Sequence, residues 1–355
     1  MRTRFVLTAL LAFALLFWLL RGVDLREVWT HVRSADRVSM LVGLVFVALT
    51  YVARAIRWQY LLAPLGPTRF RNAFRTTIIG FALLTLLPLR VGDVIRAYLL
   101  ARKEGLTTSA TLATVAMERI LDLMAVLALL GVYLWIVPYA QELTPAAMAK
   151  LATIKLVARL CAGASVFLVA VMWMLATHPA RAASLVLVVE HFTSRRIALA
   201  LSRYVGYFSA GFAAVRSPGR LATVAVWSLL LWVGIAGETW IISRGFGIQM
   251  DFAGSFLMQP LLVLGVAVGT PGGLGPYQWA YVVGVTLFFG ASQETAVASS
   301  FVVWLISFVP TVIVGLVYMA QDGLSVGRLE TLASEARGKE PPSTDEVPIL
   351  RSSRR

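Results

Sequence analysis

The side chains of this sequence that are best able to bind a ligand or take part in chemistry are charged groups inside long apolar runs. Glu118, Arg119 and Asp122 stand in one such run. At helical spacing Glu118 and Asp122 share a face, and Arg119 lies between them in angle. Ionisable groups in apolar membrane segments cost about 2.5–3.5 kcal/mol each and usually mark a functional interior. We therefore expect these three residues either to line a substrate path or to form a self-neutralising ion cluster between helices.

A second group of charges follows a short apolar stretch. Arg90, Asp93 and Arg96 supply two guanidiniums and one carboxylate beside Gly92, which can open the backbone. Guanidinium forks suit bidentate recognition of phosphate. This pattern predicts a phospholipid or polyprenyl-phosphate headgroup as the ligand. Plain interfacial anchoring by arginine is the alternative.

A third candidate segment is the glycine-rich stretch Thr270–Pro276, which interrupts an apolar region. Its glycines free backbone amides just before a helix expected to begin near Tyr277, and turns at helix N-termini bind anions. A tight structural turn is the alternative. The candidate residues here are Gly272, Gly273, Gly275 and Gln278.

The remaining polar residues are weaker candidates, and the sequence lacks the common catalytic and metal-binding motifs. Arg57 and Glu238 are weaker headgroup candidates, and Glu238 is expected either to bind a proton or cation or to reach the outer interface. The single cysteine, Cys161, forbids an intramolecular disulfide, and the three histidines lack the spacing of metal ligands. Nucleophile-elbow, Walker, dinucleotide and zinc-protease motifs are absent. We predict a protein without metal, cofactor or enzymatic activity.

Composition places these residues in a membrane protein. The chain is 59% hydrophobic and 14% charged, with a mean hydropathy of +0.78, outside the usual balance of a soluble domain. The net charge of +14 is carried largely by loops, where the positive-inside bias explains it without a nucleic-acid partner. Residues 5–20 are interpreted as a first helix because no small-residue cleavage site precedes Arg21.

Apolar run lengths predict an all-α polytopic fold with about six full spans and two re-entrant or interrupted hairpins. The first hairpin, Thr76–Leu87, is too short to cross, and the second, residues 253–290, is broken by a turn that cannot face lipid. Eight ordinary spans are the alternative. The predicted full spans are residues 5–20, 38–60, 108–137, 156–176, 221–243 and 295–319.

The order span, span, hairpin, span then recurs from the opposite side of the membrane. We predict one transmembrane domain, residues 1–320, built as an inverted repeat with halves near 1–137 and 156–320. Paired interrupted segments place a substrate site at the repeat interface. An interfacial helix is expected over 181–216, and a disordered tail over 321–355.

Basic clusters predict the orientation of the chain in a cytoplasmic (inner) membrane. One cluster follows the second span and the other precedes the fifth, so both termini are expected in the cytoplasm. The first cluster consists of Arg54, Arg57, Arg69, Arg71 and Arg75. The second consists of Arg181, Arg195, Arg196, Arg203, Arg216 and Arg220.

Four blocks in this order resemble the transmembrane region of lysylphosphatidylglycerol synthases, also called the flippase-like domain family. The resemblance covers most of residues 1–320. It departs from the family at Gln278, where many members have an acidic residue, and at Asp93, where they have Glu. The blocks are Arg54-Ala55-Ile56-Arg57-Trp58, Arg90-Val91-Gly92-Asp93 with Arg96, Glu118-Arg119 with Asp122, and Pro271-Gly272-Gly273-Leu274-Gly275.

The resemblance implies movement of a lipid between leaflets, without the aminoacyl-transferase domain of the bifunctional synthases. We expect a lipid translocase for a membrane phospholipid or polyprenyl-linked lipid, with Arg90, Arg96 and Arg119 against the phosphate. The alternatives are a lipid-binding accessory protein of a cell-envelope glycolipid or isoprenoid pathway, and an intramembrane enzyme. A homo-oligomer or a partner enzyme of envelope biosynthesis is the expected protein partner.

Overall fold

A computed structural model describes residues 2–87, 91–136 and 217–324, together with scattered positions between 153 and 177. The side chains of residues 2–9 and of Leu11 lie outside this description. Arg90, the predicted interfacial helix at 181–216 and the tail beyond Leu324 fall outside it as well. The described residues form helices without strands, which confirms the all-α polytopic class.

Ten helices follow one another along the described parts of the chain. A 3₁₀ turn, Pro271–Gly273, separates the eighth from the ninth. The helices are α1 Arg2–Leu20, α2 Leu25–Ser34, α3 Arg37–Leu62, α4 Phe70–Leu86, α5 Val91–Glu104, α6 Thr108–Ile136, α7 Pro218–Gly245, α8 Gly254–Ala267, α9 Pro276–Phe289 and α10 Gln293–Gln321.

Three of the helices in the described ranges, α3, α7 and α10, are long and apolar enough to cross a membrane. They contain 26, 28 and 29 residues, or roughly 40 Å at 1.5 Å per residue. Helix α6 is equally long, with 29 residues, but carries the charges at 118, 119 and 122. Helices thus lie at five of the six predicted spans, and residues 156–176 are described only at scattered helical positions.

Both interrupted regions form helical hairpins. Helices α5, α8 and α9 have 14 residues each, roughly 21 Å, which is short of the ~30 Å of hydrocarbon. In the first hairpin, a Cβ on Gly92 would lie 2.1 Å from the carbonyl oxygen of Gly80. In the second, a Cβ on Gly265 would lie 2.8 Å from the carbonyl oxygen of Pro276. Glycine therefore allows the two arms of each hairpin to pack backbone to backbone.

The helices pack in the same pattern in both parts of the chain. Helix α3 packs along α7, α4 of the first hairpin packs on α10, and α8 of the second hairpin packs on α6. An inverted repeat would produce this pairing, and the repeat boundaries stay a prediction. The amide of Asp36 donates to the carbonyl of Gly245 (2.9 Å), so the start of α3 and the end of α7 share one face of the molecule. Asp322, after α10, binds Arg75 and Lys103 of the first hairpin at 2.9 and 2.8 Å.

The predicted breaks lie next to each other. A Cβ on Gly272 in the second break would be 3.0 Å from Cγ2 of Thr85, in the last turn of α4. The indole nitrogen of Trp304 in α10 donates to the carbonyl of Gly272 (2.7 Å). The hairpins therefore meet inside the helix assembly, and the space beside them can receive side chains from several helices.

The prediction of a basic cluster that follows the second span is wrong for two of its arginines. Arg54 and Arg57 lie inside α3, which continues to Leu62, and the side chain of Arg57 is fully buried. Both positions fall within the predicted span 38–60, and carboxylates of α6 and the rings of Phe81 and Tyr51 receive the two guanidiniums inside the protein. Only Arg69, Arg71 and Arg75 of that cluster then contribute to the charge bias that predicts orientation.

Candidate functional site: a buried ionic cluster beside a cavity

Arg57 of α3 holds two carboxylates of α6. Its Nη2 donates to Oε1 of Glu118 (2.6 Å), and its Nη1 donates to Oδ1 of Asp122 (2.5 Å) and to the hydroxyl of Ser228 (3.0 Å). Arg57 and Glu118 are both 0% exposed. The predicted common face of Glu118 and Asp122 is therefore observed, and it is turned toward one guanidinium fork. Buried charges need such pairing because water does not solvate them.

The first hairpin adds two charged residues from α5. Arg96 donates from Nη2 to Oε2 of Glu118 (2.9 Å). Asp93 accepts from Nη2 and Nε of Arg119 at 2.5 and 3.2 Å, and its Oδ1 lies 3.3 Å from Nε of Arg96. Glu118 of α6 therefore binds α3 through Arg57 and α5 through Arg96. Asp93 of α5 in turn binds Arg119 of α6.

Six side chains form what we call the ionic cluster, with three guanidiniums and three carboxylates. Its charges balance among the described residues. The cluster consists of Arg57, Asp93, Arg96, Glu118, Arg119 and Asp122.

Exposure divides the ionic cluster into an inner and an outer part. Arg57, Arg96 and Glu118 are 0% exposed, whereas the side chain of Arg119 is 28% exposed and that of Asp93 is 13% exposed. The inner part acts as an ion cluster between helices. The outer part is partly exposed and borders the cavity, and its role in a substrate path stays a prediction.

Phe81 of α4 lies at the centre of three guanidiniums. The Cζ atoms of Arg54, Arg96 and Arg119 are 4.5, 5.4 and 5.4 Å from the centroid of its ring. The face of an aromatic ring attracts cations, the more so where water is excluded. Phe81 therefore allows cations to gather at one point of the interior.

Arg54, one helical turn before Arg57 in α3, is the functional candidate that sequence reasoning missed. Among the described residues it has no carboxylate within 4.0 Å, and its buried Nε has no hydrogen-bond partner. Besides Phe81 it contacts the ring of Tyr51, at 5.8 Å. The three-residue spacing of Arg54 and Arg57 was the available signal, because it places both on neighbouring positions of one helix face.

A cavity of about 400 Å³ opens beside the ionic cluster. Arg54, Arg119 and Asp122 line it, and helices from both hairpins and from α3, α6, α7 and α10 form its walls. Glu238 of α7 also lines it; this side chain is buried and accepts a hydrogen bond from the hydroxyl of Ser307. Glu238 therefore faces the cavity instead of the outer interface.

The charged residues of the cavity are attached at different heights along their helices. A Cβ on Gly237, the neighbour of Glu238, would contact the ring of Phe46 in α3. Arg54 lies eight positions further along α3 than Phe46, or about 12 Å at 1.5 Å per residue. The backbone positions that carry Arg54 and Glu238 thus differ in height along α3 and α7, and both side chains line the same cavity.

The glycine-rich break does not contribute its predicted residues to the cavity wall. Gly272, Gly273 and Gly275 have φ values of 59°, 68° and 91°, which favour glycine. The amide of Gly275 donates to the side chain of Gln278 (2.8 Å), a fully buried residue whose own amide nitrogen has no partner among the described atoms. The amide of Gly275 is therefore occupied, as in a structural turn. Neighbours of the break, Val266 and Tyr277, reach the cavity instead.

The fold and the site define an integral membrane protein with a polar, charged cavity where two helical hairpins meet. The match to known families agrees with this class. The chain belongs to the family of the lysylphosphatidylglycerol synthase TM region, which it matches over residues 5–315. It is a lipid-related membrane protein by that membership.

One curated relative is similar over a shorter stretch. The chain is 29% identical over 114 residues to "Glycosyltransferase AglD" of Haloferax volcanii, which is 32% of this chain and 18% of that protein. The chain therefore spans less than a fifth of the relative that it matches.

Proposed function

We propose that the protein is a lipid translocase that moves a phospholipid or lipid-linked headgroup between leaflets. The observation that carries the proposal is the cavity of about 400 Å³, which lies between the partly exposed residues of the ionic cluster, Arg119 and Asp93, and the meeting point of the two hairpins. A phosphate that leaves water for hydrocarbon bears a large penalty unless a counter-charge receives it. Arg119, on the cavity wall, supplies that charge.

Arg119 receives the headgroup by exchanging partners. Its Nη2 and Nε now hold Asp93 on the first hairpin, and its Nη1 lies 3.6 Å from Oδ2 of Asp122. A phosphate in the cavity competes with Asp93 for the same fork, because both are oxyanions that accept bidentate bonds. Binding therefore loosens the contact between α5 and α6, while the acyl chains stay in the bilayer.

The fully buried members of the ionic cluster hold Arg119 and Asp93, its partly exposed members, in position. Arg57 and Arg96 are committed to Glu118 and do not line the cavity. In this proposal they hold α3, α5 and α6 together while Arg119 changes partners. Aminoacyl transfer to lipid is not part of the proposed activity, and neither is any other covalent step.

Replacing Arg119 with Gln tests the proposal. Purified protein in proteoliposomes should exchange a fluorescent phosphatidylglycerol between leaflets, measured by quenching of the outer-leaflet label, and Arg119→Gln should reduce the rate at least tenfold. Arg71→Gln, at an exposed position of α4, is the matched control and should exchange lipid as the natural protein does. Equal rates for both variants would remove Arg119 from the mechanism.

The glycosyltransferase name of the partial relative makes an enzymatic function the second candidate. An enzyme would change the mass of an added lipid, which mass spectrometry of the recovered lipids reveals. A non-transporting accessory protein would retain lipid through purification without any exchange. The proteoliposome experiment, with lipid masses recorded before and after, separates all three functions.

A further inference from the structure

Helix α2 is a short helix that connects α1 with α3. We propose that α2 lies flat in the interfacial layer of the bilayer, at the end of the molecule where α3 begins and α7 ends, with Leu25 and Trp29 inserted among the lipids. The partner of this surface is the lipid layer itself. The proposal goes beyond the proposed function, because it concerns how the protein is seated in one leaflet and not what it moves. It also concerns a different segment from the interfacial helix predicted at 181–216.

One face of α2 is held by the protein. Val28 and Val32, four positions apart, are partly buried and pack on the hydrophobic core that α7, α8, α9 and α10 share. Nε2 of His31 lies 3.4 Å from Oγ1 of Thr295, in the first turn of α10. Helix α2 is therefore part of the folded assembly and has a fixed place on it.

A second face of α2 is apolar and is not covered by the described residues. Leu25 and Trp29, also four positions apart, are 62% and 55% exposed. Single exposed apolar side chains are ordinary, but this pair continues the exposed apolar surface of the neighbouring helices. That surface includes Phe17 and Trp18 near the end of α1, and Val38 at the start of α3. Lipid that covers α1 and α3 would therefore cover this face as well.

The third face of α2 is polar. Glu27, Thr30 and Ser34 follow one another at spacings of three and four residues, and all three are exposed. Helices with tryptophan and leucine on one face and charged residues on another lie in the plane of the interface, with the apolar face about 5–10 Å into the bilayer. Faces that suit protein, lipid and water can be satisfied together where the three meet. That place is the membrane surface beside the protein.

The arginines around α2 favour the same place. Cζ of Arg33 lies 5.1 Å from the centroid of the Trp29 ring, so the guanidinium stands at the border between the apolar and the polar face. Tryptophan rings prefer the interface, and the long arginine side chain reaches from it toward the headgroups. Arg26, Arg33 and Arg37 have no ion pair within the described parts of the chain. Their charges are therefore available to the phosphates at the membrane surface.

The position of α2 links the leaflet to the wall of the cavity. The core on which Val28 and Val32 pack includes Leu262 and Tyr277, and both of these residues line the cavity. A helix held by lipid on one side and by this core on the other sets the height of the cavity wall in the bilayer.

The reactivity of cysteines introduced along α2 tests the proposal. The single cysteine of the chain is removed first by Cys161→Ser, and Leu25→Cys, Glu27→Cys, Trp29→Cys and Thr30→Cys are then made one at a time. All four positions are exposed in the protein. In nanodiscs that hold one copy each, a charged maleimide that does not enter lipid should react at least tenfold faster at positions 27 and 30 than at 25 and 29, because a thiol in an apolar layer stays protonated.

Nitroxide labels on the same four cysteines provide the converse measurement. Labels at positions 25 and 29 should collide more often with oxygen, which concentrates in hydrocarbon, and less often with a water-soluble nickel chelate. Labels at positions 27 and 30 should show the opposite preference. The pairs are matched, because they lie on one helix and differ only in the face that they occupy.

Two results would overturn the proposal. Equal reaction with maleimide at all four positions would place α2 in water. Protection of positions 25 and 29 from maleimide, oxygen and the nickel chelate alike would show that protein, and not lipid, covers this face. Neither measurement involves the exchange of lipid between leaflets, so this proposal and the proposed function can fail independently.

Discussion

Glu118 is the carboxylate on which the packing of three helices depends most. It accepts from Arg57 at 2.6 Å and from Arg96 at 2.9 Å, and all three side chains are 0% exposed. Glu118→Gln preserves the size of the side chain and one acceptor oxygen but removes the charge. The two guanidiniums would then rely on Asp122 and Asp93 alone.

The expected loss follows from the cost of breaking a buried ion pair. Removing one partner leaves a buried charge uncompensated, which costs about 3–5 kcal/mol. Because Asp122 and Asp93 remain and the amide oxygen still accepts one bond, we expect the lower end, about 3 kcal/mol. An ion pair of a surface carboxylate contributes at most about 1 kcal/mol. The loss from Glu118→Gln can therefore be distinguished from the loss of a surface charge.

Unfolding in detergent micelles, followed by tryptophan fluorescence, measures this loss. Glu27→Gln, at an exposed position of α2, is the matched control. A double-mutant cycle with Arg57→Leu and Glu118→Leu isolates the pairwise energy, and the double variant should be more stable than either single one. A Glu118→Gln protein as stable as the Glu27→Gln control would refute the structural role of the ionic cluster.

Two further predictions concern helix α3 and the second break. Hydrogen bonds from the hydroxyl and amide of Ser39 and from the amide of Val38 lower the pKa of Asp36 below its usual 3.8. Its stabilising effect should therefore be complete above about pH 4 and lost as the pH falls through the lowered pKa; thermal unfolding at pH 6 and pH 3 of the natural protein and Asp36→Asn checks this. Gly272→Ala should destabilise by about 1–3 kcal/mol, since its φ is 59° and the new Cβ would press on Thr85.

Each of these two predictions has a control variant or a control condition. Asn is nearly as good a helix cap as Asp, so a stability gap between the two proteins that persists unchanged at pH 3 would contradict the charge explanation. Gly290 has a φ of 64° but nothing within 4 Å of an added Cβ. Gly290→Ala therefore carries only the backbone strain. Equal losses at 272 and 290 would show that contact with Thr85 is unimportant.

The helices were predictable where apolar length alone decides the structure. The runs at 38–60 and 221–243 became α3 and α7 with boundaries shifted by only a few residues. The first hairpin was predicted too short, because α4 begins at Phe70 and includes Arg71 and Arg75. Apolarity marks the part of a helix that avoids water, whereas its backbone hydrogen bonds continue past that part.

The candidate site was predictable only within one helix. Four-residue spacing brought Glu118 and Asp122 to one face, as expected, since that relation is local. The partner of both, Arg57, comes from a helix more than 60 positions earlier, and no local pattern specifies that approach. Arg54 was counted with the basic cluster after the second span, although it lies within the predicted bounds 38–60, because a basic residue near the end of an apolar run usually marks the membrane boundary.

Arg54 and Arg57 show how one helix face serves two purposes. Three residues apart, they differ in whether a carboxylate of the same chain reaches them: Arg57 binds two, and Arg54 binds none among the described residues. The fully buried ion pairs of Arg57 join α3 to α6, whereas the guanidinium of Arg54 lies against the rings of Phe81 and Tyr51 on the cavity wall. The same type of side chain therefore stabilises helix packing at one position and lines the cavity one turn away.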